Sequence, residues 1–185
     1  MGKEIETRIP DIDKAEIAAR LETLGAKKVK DVLQRRMVFD YPDRRLDAMN
    51  AWIRLCDTGD GKIQLAYKCL KETGKTGVAD CHEVEFAVSD MEKAEQFLTL
   101  IGLEKKSYQE NKRISYELED VEFDIDEWPM IPSFVEIEGP SVERVMAMVE
   151  RLGYTEHDTM QGDAGAIYLA HGIDWKSLKE ITFER

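Results

Sequence analysis

The chain has 185 residues, 43% of them hydrophobic, and a formal net charge of −12. This length and apolar content predict a single globular domain over residues 1–185 and exclude an intrinsically disordered protein. The acidic balance argues against nucleic acid as a partner, because such a surface repels phosphates. Three cysteines without metal-type spacing, no apolar signal region and no apolar stretch of membrane-spanning length predict a cytoplasmic protein with no membrane partner.

The predicted elements run as strand, helix, four strands, helix, three strands and helix, with a short fourth helix after them. Alternation of period two predicts strands near residues 3–9, 28–41, 51–57, 62–70, 80–88, 105–117, 120–127 and 133–139. Apolar residues at helical spacing predict helices over residues 12–24, 91–101, 142–152 and 164–170. Consecutive strands joined by tight turns, such as Asp60-Gly61, indicate an antiparallel sheet in the α+β class.

Charged residues alternate with apolar residues along most of these strands. In the first strand, Glu4, Glu6 and Arg8 share one face, and Glu122, Asp124 and Asp126 do so in the seventh. One sheet face in water would explain any single strand. The whole set, with carboxylates two residues apart on several strands and cations between them, favours an eight-stranded antiparallel β-barrel with a charged interior, flanked by amphipathic helices.

The chemistry of such an interior is restricted by the cost of burying charge, which falls only when charges pair or meet ligands. Carboxylates two residues apart on one strand face can converge on a hard divalent cation, which prefers oxygen ligands. Arginine and lysine on facing strands can hold phosphate oxygens. The pattern therefore favours a metal together with a polyanionic small molecule.

Several short motifs occur in a fixed order along the chain. They are Glu4-Ile5-Glu6-Thr7-Arg8, Trp52-Ile53-Arg54, Lys68, Glu83-Val84-Glu85, Arg113-Ile114-Ser115-Tyr116, Asp126 and Phe134-Val135-Glu136-Ile137-Glu138. In this order they resemble the CYTH superfamily, the triphosphate tunnel metalloenzymes. That superfamily includes class IV adenylyl cyclases, thiamine-triphosphatases and inorganic triphosphatases.

The resemblance implies a barrel tunnel that holds a triphosphate with Mg²⁺ or Mn²⁺. The residues implied to bind the triphosphate are Arg8, Arg36, Arg54, Lys68 and Arg113. The implied metal ligands are Glu4, Glu6, Asp126, Glu136 and Glu138, of which Asp126, Glu136 and Glu138 are also the candidate catalytic residues. Three further acidic residues, Glu83, Glu85 and Asp124, are expected in the tunnel without an assigned role.

Two positions depart from the family pattern, and both reduce the number of cations expected in the phosphate site. Trp52 stands where the family has the first arginine of Arg-x-Arg, and Asn111 stands where a lysine is expected before Arg113. Lys112 is adjacent, but a regular strand would point it to the other face.

The function predicted from the resemblance is metal-dependent hydrolysis of an inorganic or organic triphosphate. A class IV adenylyl cyclase and a non-catalytic binder of polyphosphate or nucleotide stay open as alternatives. The oligomeric state also stays open, with a homodimer as one alternative.

Overall fold

The computed structural model describes the backbone of residues 2–71 and 79–183 and the side chains of residues 5–70 and 82–183. The strands are β1 (Gly2–Ile9), β2 (Lys27–Asp40), β3 (Ala51–Asp57), β4 (Ile63–Lys71), β5 (Ala79–Val88), β6 (Glu104–Leu118), β7 (Val121–Glu127), β8 (Phe134–Gly139) and β9 (Glu180–Ile181). The helices are α1 (Lys14–Thr23), α2 (Met91–Leu100), α3 (Val142–Arg151) and α4 (Ala164–Ala170). The eight predicted strands and four predicted helices are confirmed. The two-residue strand β9 was not predicted, because it is too short to show alternation.

Eight strands close into an antiparallel barrel, as predicted. They follow the order β2-β3-β4-β5-β1-β8-β7-β6, and the first and last of these pair with each other from Lys27 opposite Glu117 to Asp40 opposite Glu104. The 15-residue strand β6 is long enough to serve two partners on its other edge. It pairs with β7 along its C-terminal half and in parallel with β9 at Tyr108 and Gln109.

Part of the outer face of the barrel is apolar and packs against helices. Ile17 of α1 and Met148 of α3 are fully buried in one cluster with Phe123 and Ile137 of the barrel wall. Burying each such side chain contributes about 1.5–3 kcal/mol. Ser141 caps the N-terminus of α3, because its hydroxyl accepts a hydrogen bond from the backbone N–H of Arg144 at 3.2 Å.

Residues 156–183, called here the C-terminal segment, cover one end of the barrel. That end, called the upper rim, is where β1, β2, β4 and β7 finish and where β3, β5, β6 and β8 begin. Met160 exchanges backbone hydrogen bonds with Arg8 at the end of β1, and the Tyr168 hydroxyl donates to the Pro129 carbonyl at 2.5 Å. The opposite end is called the lower rim.

Among the helices described, none combines the length and the apolar character needed to cross a membrane.

Candidate functional site

One cavity of about 660 Å³ occupies the barrel interior and extends to residues of the C-terminal segment at the upper rim. The predicted site residues that line it are Glu6, Arg8, Arg36, Arg54, Lys68, Glu83, Glu85, Arg113, Asp124, Asp126, Glu136 and Glu138. The structure therefore brings together every predicted site residue whose side chain it describes. The side chain of Glu4 lies outside the described residues.

Strand register places the inward residues of neighbouring strands side by side. Arg8 of β1 lies opposite Glu136 of β8, which lies opposite Asp124 of β7. Directly opposed residues on an antiparallel pair have Cβ atoms about 4.5–5.5 Å apart, so their charged groups interact. Sequence order separates these three residues widely, and only the barrel puts them in one row.

Arg8 is a buried cation that is held by two carboxylates. Its Nη2 lies 3.0 Å from Oε1 of Glu6 and also contacts Glu136, while Nη1 donates to the Gly162 carbonyl. Burial alone would lower the pKa of Arg8, but Glu136 and Glu6 outweigh it and raise that pKa. Although burial acts to raise the pKa of Glu136, Arg8 and Arg113 lower it to about 2. Both members of this pair are therefore charged.

Arg113 forms ion pairs with three carboxylates of the tunnel, those of Asp124, Asp126 and Glu136. Its Nε and Nη2 bind the two oxygens of Asp126 at 2.9 and 2.6 Å, and its Nη1 lies 2.5 Å from Oδ2 of Asp124. Asn111 donates to the same Asp126 at 2.8 Å. Asp126 is only 1% exposed, so in this state it fixes the position of the guanidinium.

The cations of β3 and β4 face the acidic strand β5. Arg54 Nη2 lies 3.1 Å from Glu85 and 3.7 Å from Glu83, and the Lys68 ammonium lies 3.0 Å from Glu83. Glu83 and Glu85 thus neutralise tunnel cations in this state. Neither glutamate had an assigned role from sequence.

Arg36 differs from the other four cations, because its hydrogen-bond partners are neutral. Its guanidinium donates to the amide oxygens of Gln34 and Asn111, and it lies 4.9 Å from the ring centre of Trp128. Within the described part of the chain, Arg36 forms no ion pair with a carboxylate, and its buried Nε has no hydrogen-bond partner. Burial, aided by the nearby Arg54, lowers the pKa of Arg36 to about 10. A buried cation with this surrounding favours an incoming anion.

A second row of inward residues consists only of carboxylates. Glu6 lies opposite Glu138, and Glu138 lies opposite Glu122. Burial raises the pKa of Glu138 to about 7, and Glu136, Glu6 and Glu122 add to that shift by repulsion. Sequence analysis gave Glu122 no role, although its alternation with Asp124 was visible.

The carboxylate row suits a divalent cation by its chemistry, since hard cations prefer carboxylate oxygens and would relieve the repulsion. Among the side chains described, no three carboxylates, imidazoles or thiols already form a complete ligand set. Arg8 contacts Glu6 and Glu136, so these two carboxylates are occupied by a cation of the protein itself.

Of the two departures from the family pattern, Trp52 lines the cavity and Asn111 is fully buried behind residues that line it. Asn111 bridges Arg36 and Asp126, and Trp52 lines the cavity beside the cations. Lys112 points outward and pairs with Glu127 at 3.0 Å, which confirms its predicted orientation.

Sequence analysis did not predict that the C-terminal segment reaches the cavity. Asp163, Leu169, Trp175 and Leu178 all line it. Residues 156–183 show no strand alternation that would have indicated an inward face, and only packing on the barrel reveals their position.

Comparison with known proteins agrees with this architecture. A Methanocaldococcus jannaschii protein named as a candidate adenylate cyclase is 28% identical over 137 residues, which are 73% of this chain and 75% of that protein. A candidate adenylate cyclase from Vibrio parahaemolyticus superposes with a TM-score of 0.77 at 14% identity, covering 91% of this chain and 99% of the other. A Hippeastrum protein, described as a candidate adenylyl cyclase with a dominant triphosphatase activity, has a TM-score of 0.66 at 17% identity, covering 92% and 96%.

The CYTH domain matches residues 2–155 of the sequence, which include all eight barrel strands. With the closed barrel and its charged interior, this match confirms the family expected from the sequence motifs: the chain belongs to the CYTH domain family.

Proposed function

We propose that this protein is a metal-dependent hydrolase that releases phosphate from a triphosphate compound bound in the barrel. The observation that carries the proposal is the barrel cavity lined by all five of the predicted triphosphate-binding cations and by the carboxylate row. A linear triphosphate is the kind of ligand that needs several cations at successive positions along a narrow channel.

The charge balance of the cavity supports a requirement for metal. Among the described lining residues, eleven are acidic and seven are basic. A triphosphate anion would enter an already negative cavity, where like charges repel strongly because water is partly excluded. A cation that enters with the substrate would offset this repulsion.

The cations and the carboxylates of the cavity would have different roles. Arg8, Arg54, Lys68 and Arg113 would exchange their carboxylate partners for phosphate oxygens and hold the phosphate chain straight. Glu6, Glu136 and Glu138, with Glu4 as a further candidate, would hold Mg²⁺ or Mn²⁺.

A metal at that position would supply positive charge to the phosphate oxygens during phosphoryl transfer. Water would attack the terminal phosphorus as the bond from that phosphorus to the bridging oxygen breaks, giving orthophosphate and a diphosphate compound. Asp126, released from Arg113, is the candidate to orient the attacking water or to serve as a further metal ligand.

The named relatives support this proposal and one alternative. The Hippeastrum protein described with a dominant triphosphatase activity supports hydrolysis. The Methanocaldococcus jannaschii relative, named as a candidate adenylate cyclase, supports a second function, the conversion of ATP to cyclic AMP and pyrophosphate.

A product assay separates the possibilities. Metal-stripped protein is incubated with inorganic triphosphate, ATP or thiamine triphosphate, with Mg²⁺ or Mn²⁺, and phosphate, pyrophosphate and cyclic AMP are measured separately. Release of orthophosphate is expected. Pyrophosphate and cyclic AMP in equal amounts from ATP would instead establish the cyclase, and binding without any product would establish a non-catalytic module.

A further inference from the structure

One part of the cavity wall consists of neutral polar side chains instead of ion pairs. It is formed by the inner faces of β2 and β6 around Arg36, where the strand register sets Arg36 opposite Gln109 and Gln34 opposite Asn111. The three amide side chains belong to buried residues, each with an exposed fraction of 6% or less. Among the described residues, this wall therefore gives Arg36 hydrogen-bond acceptors but no carboxylate partner.

Asn111 lies between Arg36 and the carboxylate of Asp126. Its Oδ1 accepts a hydrogen bond from Arg36, and its Nδ2 donates to Oδ1 of Asp126 at 2.8 Å. A carboxamide can serve both neighbours at once, because it presents an acceptor to the cation and a donor to the anion. The fully buried side chain of Asn111 therefore separates two opposite charges that attract each other.

This separation gives the two arginines of the wall different partners. Both oxygens of Asp126 accept hydrogen bonds from Arg113, at 2.9 and 2.6 Å. Arg36 instead has the amide oxygens of Gln34 and Asn111, and its guanidinium lies near the ring of Trp128. Arg113 is thus neutralised by the protein, while Arg36 keeps an uncompensated positive charge.

The difference in partners decides what an incoming phosphate must displace. A phosphate that binds Arg8, Arg54 or Arg113 competes with carboxylates, and each displaced carboxylate is left without its cation in a partly dehydrated cavity. A phosphate that binds Arg36, which also lines the cavity, displaces only neutral amide oxygens, and this costs less. A buried cation without a countercharge also gains from any anion that approaches it.

We infer that Asn111 is a positioning residue that keeps Arg36 free of carboxylates, and that Arg36 thereby captures a phosphate group of the ligand before divalent metal is bound. The inference rests on the proposed function only in taking a triphosphate as the ligand. The paired cations exchange carboxylate for phosphate afterwards, once a divalent cation gives the displaced carboxylates a new partner.

Calorimetric titration with inorganic imidotriphosphate in excess chelator tests the inference without catalysis and without metal. The variants are Arg36→Gln, Asn111→Asp and Gln34→Glu, and the matched control is Arg54→Gln. Arg54 also lines the cavity, but it pairs with Glu85 at 3.1 Å. Each of the four substitutions makes the cavity and its wall more negative by one charge, so a difference among them does not reflect net charge.

The wild-type protein is expected to bind imidotriphosphate detectably in chelator, and Arg36→Gln should weaken this binding by at least about tenfold. Asn111→Asp and Gln34→Glu should also weaken it by about tenfold, because the new carboxylate pairs with Arg36. Arg54→Gln should weaken it by no more than about threefold in chelator. With Mg²⁺ present, Arg54→Gln should lose about tenfold as well, since Arg54 then contributes to binding.

A double-mutant cycle separates a positioning role of Asn111 from a purely structural one. In the Arg36→Gln background, Asn111→Asp should weaken binding by less than about a further threefold, because the cation through which it acts is gone. Asn111→Asp also sets two carboxylates against each other at Asp126 and could unfold the protein. Gln34→Glu gives the result in that case, since the hydrogen bond of Gln34 is with Arg36.

Absence of imidotriphosphate binding to the wild-type protein in chelator would overturn the inference, as would equal losses in Arg36→Gln and Arg54→Gln. Unchanged affinity in Gln34→Glu, or fully additive losses in the cycle, would show that neutral partners do not govern Arg36. These outcomes are distinct from failure of the proposed function, in which imidotriphosphate binds through Arg36 in chelator but no phosphate is released from triphosphate with Mg²⁺.

Discussion

The two inward rows that meet on β8 have opposite electrostatic surroundings. The row of Glu136 contains Arg8 and is neutralised from within the protein, which lowers the pKa of Glu136 to about 2. Glu138 lies two residues further along the same strand, and the row that contains it consists only of carboxylates. The pKa of Glu138 is raised to about 7. The difference shows that Arg8 and Arg113 balance Glu136 from within the protein, while Glu138 is surrounded mainly by other carboxylates, whose repulsion an added cation would relieve.

Of the changes considered for the two rows, removal of divalent metal should have the largest effect on turnover. We expect turnover of triphosphate to fall by at least about 100-fold in excess chelator and to return with Mg²⁺ or Mn²⁺, because the carboxylate row then has no cation to present. Phosphate release by metal-stripped protein is the measurement. Full turnover after stripping would contradict a role for the row of Glu138 in metal binding.

Arg113→Ala should be the most destabilising change to the neutralised side of the tunnel. It leaves Asp124 and Asp126 buried without their cation, so the free energy of unfolding should fall by about 3 kcal/mol. The neighbouring Lys112→Ala removes an outward, half-exposed lysine and should change stability by less than about 0.5 kcal/mol. Urea denaturation of both variants gives the comparison, and equal losses would mean that the inward pairing of Arg113 is wrong.

The two glutamates of β8 should respond in opposite directions to loss of charge. Without metal, Glu136→Gln should lower the free energy of unfolding by about 2 kcal/mol, because Arg8 loses a charged partner. Glu138→Gln should raise it by about 1 kcal/mol, because repulsion with Glu6 and Glu136 disappears.

Melting curves with and without Mg²⁺ extend that test of β8. The wild-type protein should gain stability with the metal and Glu138→Gln should lose this gain, since a ligand that binds only the folded state stabilises it. If both glutamine variants shift the melting temperature in the same direction, the two rows do not differ as described.

Glu122→Gln should have the smallest effect. Glu122 lies in the carboxylate row but is exposed at the lower rim, so solvent screens its repulsion with Glu138. We expect a stability gain of no more than about 0.5 kcal/mol and less than a threefold change in Mg²⁺ affinity by titration. A loss of metal binding as large as that of Glu138→Gln would make Glu122 a ligand.

The barrel was predictable because alternation of charged and apolar residues is a local property of each strand. Its inward faces followed from the same pattern, as Glu6, Arg8 and Lys68 show. The pairing of charges was not predictable, because Arg8 meets Glu136 only through the register of β1 on β8. That Arg36 pairs with no carboxylate was also not predictable, because it depends on which residues face Arg36 across the tunnel.

The contribution of the C-terminal segment to the cavity was not predicted from the sequence, for a different reason. Leu169 lies in the short helix α4 and Trp175 begins a one-turn 3-10 helix, and the direction of both side chains depends on how the segment docks. Trp128 and Tyr168 pack together in the cluster that holds this segment, and the sequence alone does not show that contact. Family motifs could not help, because the matched domain ends at residue 155.

The position of β1 in the sheet has a consequence for folding. This first strand lies between β5 and β8, and it joins the strands that follow α1 to those that follow α2. Such pairings connect residues far apart in sequence, and contacts of this kind form slowly during folding. Because β1 carries Glu6 and Arg8, a chain that has not yet inserted this strand has neither a closed tunnel nor a complete set of charges. The tunnel and its set of charges are therefore complete only when the barrel closes.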